Sequence, residues 1–314
     1  MDPSRISLGS DGCLTAQVRN NMPKIIPHLW FDKEAVEATK FYTSIISDSE
    51  ILNTSVIKDT PSGDCDIVNF KLGGVEFMAI SAGPYFKLNP SVSFFVNFDP
   101  SKDPNAKENL NILWNKFLDG GKVLMGLDTY PFSEWYGFIQ DKYGVSWQLI
   151  LTNPNGKERP HIVPSLLFVG EKYKRADEAV NFYLSVFKEA KLGNMFKNDG
   201  EVVFSDFKLF ETWFSAMDGQ GEHKFDFNEA TSFIVNCDDQ DEIDYYWEKL
   251  SAVPEAEQCG WLKDKFGVSW QIVPRKMQEL MGSGDPEKLQ RVTKAFLQMK
   301  KFDIAKLEEA ANSL

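Results

Sequence analysis

Apolar and polar positions along this chain follow two rhythms that take turns. Residues 25–31 (Ile-Ile-Pro-His-Leu-Trp-Phe) read as a strand, closed by Asp32. Residues 34–46 then change period: Ala35, Ala38, Tyr42 and Ile45 recur at spacings of three and four, which predicts a helix with one apolar face. Three strands are expected next, over 51–57, 67–72 and 75–81. The last two are joined by Gly73-Gly74, a hairpin signal. The order strand, helix, strand, strand, strand repeats at once, with a strand over 91–98, a helix over 109–118, and strands over 122–127, 135–140 and 146–151. Gly120-Gly121 breaks the run after the helix, and Asn153-Pro-Asn-Gly156 reads as a linker.

Beyond the linker the pattern starts again. Pro164 stands in the strand 161–168 as Pro27 stands in the first. The helix 176–187 places Ala176, Ala179, Phe182, Tyr183 and Phe187 where the first has Ala35, Ala38, Phe41, Tyr42 and Ile46, every pair 141 residues apart. Ser93-Phe-Phe-Val-Asn97 recurs as Ser232-Phe-Ile-Val-Asn236. Each half ends in the same eight residues, DKYGVSWQ from Asp141 to Gln148 and DKFGVSWQ from Asp264 to Gln271. Glycine marks a tight turn there, and the strand after it alternates, with Trp147 and Leu149 on one side and Ser146 and Gln148 on the other. Between its helix tryptophan and this motif the second half is about one strand shorter, near 254–259. Such self-similarity predicts a duplicated domain. After Pro274 the rhythm turns helical: Asp285 and Pro286 form a helix start, and Leu289, Val292, Phe296 and Met299 a stripe expected to pack on the chain's own second half.

Composition narrows the function. The 314 residues suffice for two domains, and 43% hydrophobic with 25% charged residues is ordinary for a globular chain. A net charge of -12 repels phosphate backbones, so nucleic acid is not expected as a partner. No apolar run reaches the length of a membrane span, and residues 1–22 lack a signal peptide's apolar centre, reading as a disordered leader or an expression remnant. Cys13, Cys65, Cys237 and Cys259 show no metal or disulfide spacing and read as free thiols in a cytoplasmic setting.

The paired helix motifs Phe41-Tyr42 and Phe182-Tyr183, Gly83-Pro-Tyr-Phe-Lys87, the SFFVN and SFIVN strands, the two DKxGVSWQ ends and the tail Gln298-Met-Lys-Lys-Phe-Asp-Ile304 carry a family resemblance. Together they resemble the vicinal oxygen chelate superfamily of glyoxalase- and bleomycin-resistance-like proteins, in particular its PhnB-like branch, often named 3-demethylubiquinone-9 3-methyltransferase. The resemblance implies an α+β fold: glyoxalase-like units over 24–153 and 160–275, each of two βαβββ modules with curled mixed β-sheets, then a helical tail over 276–314. It also implies that the units pack as a pseudo-dimer, and leaves room for further oligomerisation. Relatives that use a metal hold it with His or Glu from the strands of two modules curled into a cleft. Carried over, those positions are Ile26 or His28, Phe77, Ser93 and Gln148 in the first unit, and Val163 or Ser165, Phe214, Ser232 and Gln271 in the second. Glutamine is a poor ligand and phenylalanine none, so no metal and no cofactor are expected.

Candidate ligand contacts are His28, Trp30, Tyr85, Trp135 and Gln148 in the first unit, and Trp213, His223, Trp261 and Gln271 in the second. Rings suit the floor of an apolar pocket, although strand aromatics are commonly core, and a cleft-facing glutamine needs a partner that a ligand can supply. Gly219-Gln-Gly221 leads into no helix and makes no nucleotide site, and no GxSxG elbow, P-loop or HExxH is present, so no catalytic residue is named. Three readings stay open. They are a metal-free binder of a small apolar or aromatic molecule, an enzyme (metal-dependent lyase or dioxygenase, or the methyltransferase of the family name), and a structural or interaction protein with filled clefts.

Overall fold

A computed structural model describes residues 22–313; residues 1–21, which hold Cys13 and nearly all of the leader expectation, lie outside the described residues. Among the described residues, fifteen strands and four α-helices form four modules, and three further α-helices form a tail. The first is β1 (Ile25–Phe31), α1 (Ala35–Ile45), β2 (Glu50–Thr60), β3 (Gly63–Leu72) and β4 (Val75–Ser81). The second is β5 (Val92–Phe98), α2 (Ala106–Leu118), β6 (Lys122–Tyr130), β7 (Ser133–Gln140) and β8 (Ser146–Leu151). The third is β9 (Ile162–Phe168), α3 (Ala176–Val186), β10 (Ala190–Asn198), β11 (Glu201–Leu209) and β12 (Thr212–Asp218). The fourth has β13 (Thr231–Cys237), α4 (Gln240–Leu250), a three-residue β14 (Trp261–Lys263) and β15 (Ser269–Pro274). It is therefore βαββ, with a 3-10 turn over Pro254–Ala256 where the missing strand would run.

The sheets do not respect the halves of the chain. One has seven strands in the order β14-β15-β13-β1-β4-β3-β2, the other eight in the order β10-β11-β12-β9-β5-β8-β7-β6. Modules one and four thus share a sheet through the antiparallel pair β1–β13, and modules two and three through β5–β9. This corrects the expectation of a cleft made by the two modules of one unit.

Aromatic rings on the helix-covered faces do the opposite and join modules of the same half, although Ile25 and Val92 also reach the second-half core and Ile162 the first. In the first half, Phe77 meets Phe94 at 5.3 Å and Tyr42 meets Trp147 at 5.4 Å, each contact joining modules one and two. In the second half, Phe214 meets Phe233 at 5.0 Å and Tyr183 meets Trp270 at 5.6 Å, joining modules three and four. Phe77 and Phe214 are consequently buried core rings, and strand parity puts Met78 and Ser215 on the face where those two had been expected. Helix-side burial drives this packing, at about 2 kcal/mol for each large apolar side chain removed from water.

The repeated motif is a buried carboxylate clamp. Asp264 Oδ1 accepts the N–H groups of Phe266 (2.8 Å) and Val268 (3.1 Å), while Oδ2 accepts Trp270 Nε1 (2.9 Å) and the Tyr183 hydroxyl (2.8 Å). Asp141 repeats it with Tyr143 N, Val145 N and Trp147 Nε1. Tyr42 occupies the fourth place there, with its hydroxyl beside Asp141 but outside the geometry of a formed hydrogen bond. Gly144 (φ +93) and Gly267 (φ +86) supply the left-handed backbone that turns the loop around each carboxylate. Burial pushes both aspartates above the ordinary carboxylate range, against the pull of their donors.

The tail behaves as expected. Asp285 caps α6 (Pro286–Phe296) by accepting from Glu287 and Lys288 N–H, and Val292 and Phe296 join the core that holds Trp270. Helices α5 (Lys276–Met281) and α7 (Ile304–Asn312) flank it, contributing Leu280 and Leu307. No helix among the described residues is long and apolar enough to cross a membrane. Cys65, Cys237 and Cys259 are free thiols.

Replacing Asp264 by Ala strands four donors, all of them on buried residues. Unfolding in urea is expected to show a loss of about 3 kcal/mol or more, since each buried unpaired group costs about 1–3 kcal/mol. A loss under about 1 kcal/mol would remove the clamp from the account of the fold.

Candidate functional site

Each sheet leaves one face free of helices, and strand parity decides what it displays. On the seven-stranded sheet, His28 of β1 stands beside Ser232 of β13 on one side and Met78 of β4 on the other. Gln271 Nε2 donates to Ser232 Oγ at 2.9 Å, and Ser232 Oγ lies 3.4 Å from His28 Nδ1. The hydroxyl has a second lone pair and a proton left for Nδ1, and the imidazole tautomer sets which of the two is used. Trp261 of β14 packs against His28 at 5.4 Å and against Trp30 at 6.1 Å; Phe86 closes on Trp30 at 5.1 Å. The Trp30 indole is fixed by donating to Gly83 O at 2.8 Å. Lys263, at the rim, is neutralised by Glu229 at 2.8 Å.

The eight-stranded sheet displays a different surface on the same plan. Gln148 Nε2 donates to Ser93 Oγ at 2.9 Å, and the Tyr136 hydroxyl donates to Gln148 Oε1 at 2.6 Å. Around them Phe95, Tyr136 and Val163 are buried, with Tyr130, Phe138, Phe204, Trp213 and Met217 packed against them. The chain's own rings fill this face. At its edge Arg159 lies 3.8 Å over the Trp213 ring and pairs with Asp206 at 2.8 Å.

The expected contacts are thereby regrouped across the halves. His28 and Trp30, from the first half, meet Trp261 and Gln271, from the second. Gln148 shares its face with Trp213. Trp135 is on neither: its parity is that of Ile139, opposite Trp147, and its indole donates to Asn111 of α2 at 2.7 Å. Tyr85 is exposed, two residues from the Gly83 carbonyl that anchors Trp30. His223 bonds Gln220 O at 2.9 Å and packs on Phe225, within its own loop. Sequence reasoning missed Phe86 and Tyr136, and named Ser232 only as a position carried over from metal-using relatives. Tyr136 carried a signal, since it shares parity with Phe138, which stands opposite Gln148.

As a metal site the seven-stranded face offers one imidazole, one hydroxyl, one amide and a thioether. Zinc and iron call for three or four His, Cys or carboxylate groups, and this set does not fit them. Among the described residues, no three His, Cys, Asp or Glu side chains stand close enough to hold an ion. Two surface depressions lie away from both faces. One, of about 700 Å³, runs between Val56–Asp59 and α6; the other, of about 480 Å³, is a polar hollow around Lys102, Asp103, Lys157 and His161.

Burial depresses the His28 pKa from 6.5 to about 3. The unfolded chain therefore takes up a proton below about pH 6.5 that the folded chain refuses, so stability from this residue is complete above that pH and falls as the pH drops toward 3. Replacing His28 by Gln is expected to flatten the pH dependence of urea unfolding in this window, by at most about 1.4 kcal/mol per pH unit. An unchanged slope would mean that His28 protonates in the folded state.

The family model described as 3-demethylubiquinone-9 3-methyltransferase matches the chain twice, over residues 23–150 and 160–273. A putative 3-demethylubiquinone-9 3-methyltransferase, PhnB protein, from Bacillus cereus is 35% identical; the match covers 41% of this chain and 100% of that one, with a TM-score of 0.37. A protein from Staphylococcus aureus is 33% identical over 42% of this chain and 99% of its own, with a TM-score of 0.17. Glyoxalase I from Zea mays is 13% identical and spans 83% of this chain and 97% of its own at a TM-score of 0.52, a likeness of fold alone. Comparison with the curated proteins finds no match.

Proposed function

The chain belongs to the 3-demethylubiquinone-9 3-methyltransferase family, the PhnB-like branch of the glyoxalase fold, and from that premise we propose that it binds a small apolar or aromatic molecule without a metal ion. The site is the helix-free face of the seven-stranded sheet. One observation carries the reading: three half-buried rings, Trp30, Phe86 and Trp261, surround the polar line His28–Ser232–Gln271, in which His28 Nε2 and Gln271 Oε1 have no hydrogen-bond partner among the described residues. Rings with a few convergent polar groups are the common make-up of a small-molecule site. The donor set argues against a chelated oxygen pair, and the paired Lys263 offers no free cation to an anionic ligand.

The packed face of the eight-stranded sheet favours a structural role for that half of the molecule. Sharing of each sheet between the halves supports the view that one chain does the work of two copies of a single-unit relative. A net charge of -12 favours an uncharged ligand over nucleic acid, and three free thiols favour a reducing compartment.

Tryptophan fluorescence titrated with toluene tests the reading. Binding is expected, unchanged by EDTA, in protein whose metal content is well below one ion per chain. Trp261→Ala is expected to weaken it about tenfold or more, through lost ring contact, while Trp213→Ala leaves it unaltered. Stoichiometric metal whose removal abolishes binding would replace this reading with that of a metal-dependent enzyme.

A further inference from the structure

The two helix-free faces repeat one glutamine–serine pair and differ in what the glutamine oxygen meets. Gln148 and Gln271 each donate from Nε2 to a serine hydroxyl at 2.9 Å. Gln148 Oε1 then receives the Tyr136 hydroxyl at 2.6 Å, whereas no group among the described residues donates to Gln271 Oε1. The cause is the shortened fourth module. Tyr136 precedes by two residues Phe138, which stands opposite Gln148; in the fourth module Trp261 stands opposite Gln271. The place of Tyr136 therefore falls to Cys259, 123 residues further on, the same offset that relates the two glutamines. Cys259 has left the strand: its φ is +52 and its N–H donates to Met299 O in the tail at 2.8 Å. No side chain among the described residues replaces the Tyr136 hydroxyl, and the acceptor it would have satisfied is left over.

We propose that the seven-stranded face binds a phenol, an uncharged aromatic molecule whose hydroxyl donates to Gln271 Oε1 as the Tyr136 hydroxyl donates to Gln148 Oε1. Tyr136 is the chain's own copy of such a ligand. The ring packs against Trp261 and Trp30, and the hydroxyl extends the line Gln271–Ser232–His28 by one member. An acceptor-only oxygen cannot do this, because it would face the Gln271 carbonyl with no proton between them. The neutral surroundings, with Lys263 held by Glu229 and His28 uncharged, suit a phenol rather than a carboxylate or phosphate. This inference rests on the binding reading above and narrows it.

The test compares p-cresol with 4-methylanisole, which keeps the ring and the oxygen but lacks the proton, and with toluene. Each is titrated into the full chain and followed by tryptophan fluorescence. Expected is a preference for p-cresol over 4-methylanisole of about tenfold, the worth of one well-placed hydrogen bond, which disappears in Gln271→Leu while toluene still binds. Equal affinity for all three would overturn the phenol assignment and leave the binding reading standing; no binding of any would overturn both. A second variant is independent of that face. Tyr136→Ala opens the matching position on the other sheet, and p-cresol is expected to raise its melting temperature while 4-methylanisole does not. Equal or absent stabilisation would overturn the equivalence from which the ligand class is drawn.

Discussion

The antiparallel pair β1–β13, with its twin β5–β9, is the constraint on which the remainder depends. It binds the first module to the fourth and the second to the third, while aromatic packing on the helix side binds first to second and third to fourth. Each module is thereby held along two directions by two different neighbours. Hydrogen bonds supply one direction and apolar burial the other. A surface that needs groups from both ends of the chain, as His28 and Gln271 do, arises only because the backbone ladder crosses between halves when the core does not.

The aspartate clamps make that surface dependable. By holding Trp147 and Trp270 inward through their indole N–H groups, Asp141 and Asp264 fix the parity of β8 and β15, and parity sends Gln148 and Gln271 to the opposite side. A slip of one residue would exchange a buried indole for an amide, which the core would not tolerate. The price of a buried carboxylate is met by four donors at Asp264 and three at Asp141. So the polar faces inherit their precision from the apolar ones.

Much of this was legible in the residues alone. Period-two alternation in DKxGVSWQ placed Trp147 within and Gln148 without, the helix offsets revealed the duplication, and the gap near 254–259 announced the short fourth module. The partner of β1 was not legible. Ile25–Phe31 is buried on both sides and reads alike whichever strand lies next to it, so its pairing with β13 rather than with β5 leaves no trace in its own composition. Trp135 misled because its ring was weighed without its parity: it shares a face with Ile139 and lies one residue from Tyr136, which is the ring that does reach the glutamine. Phe77 and Phe214 went astray by the same single step.

Sharing of sheets has a consequence for how the chain comes into being. The connections are nested: the second and third modules are neighbours in sequence and can join as soon as residue 218 has been made, whereas β1 must wait for β13, some two hundred residues later. Closing so long a loop is slow relative to local pairing, and a chain emerging from the ribosome at about 5–20 residues per second leaves β1 unpaired on that side for about 10–40 s. The seven-stranded sheet is the last to be sealed, and with it the surface that carries His28. Completion of the face that carries His28 thus waits for the fourth module, and a chain cut short before that module lacks the Ser232 and Gln271 that stand beside His28.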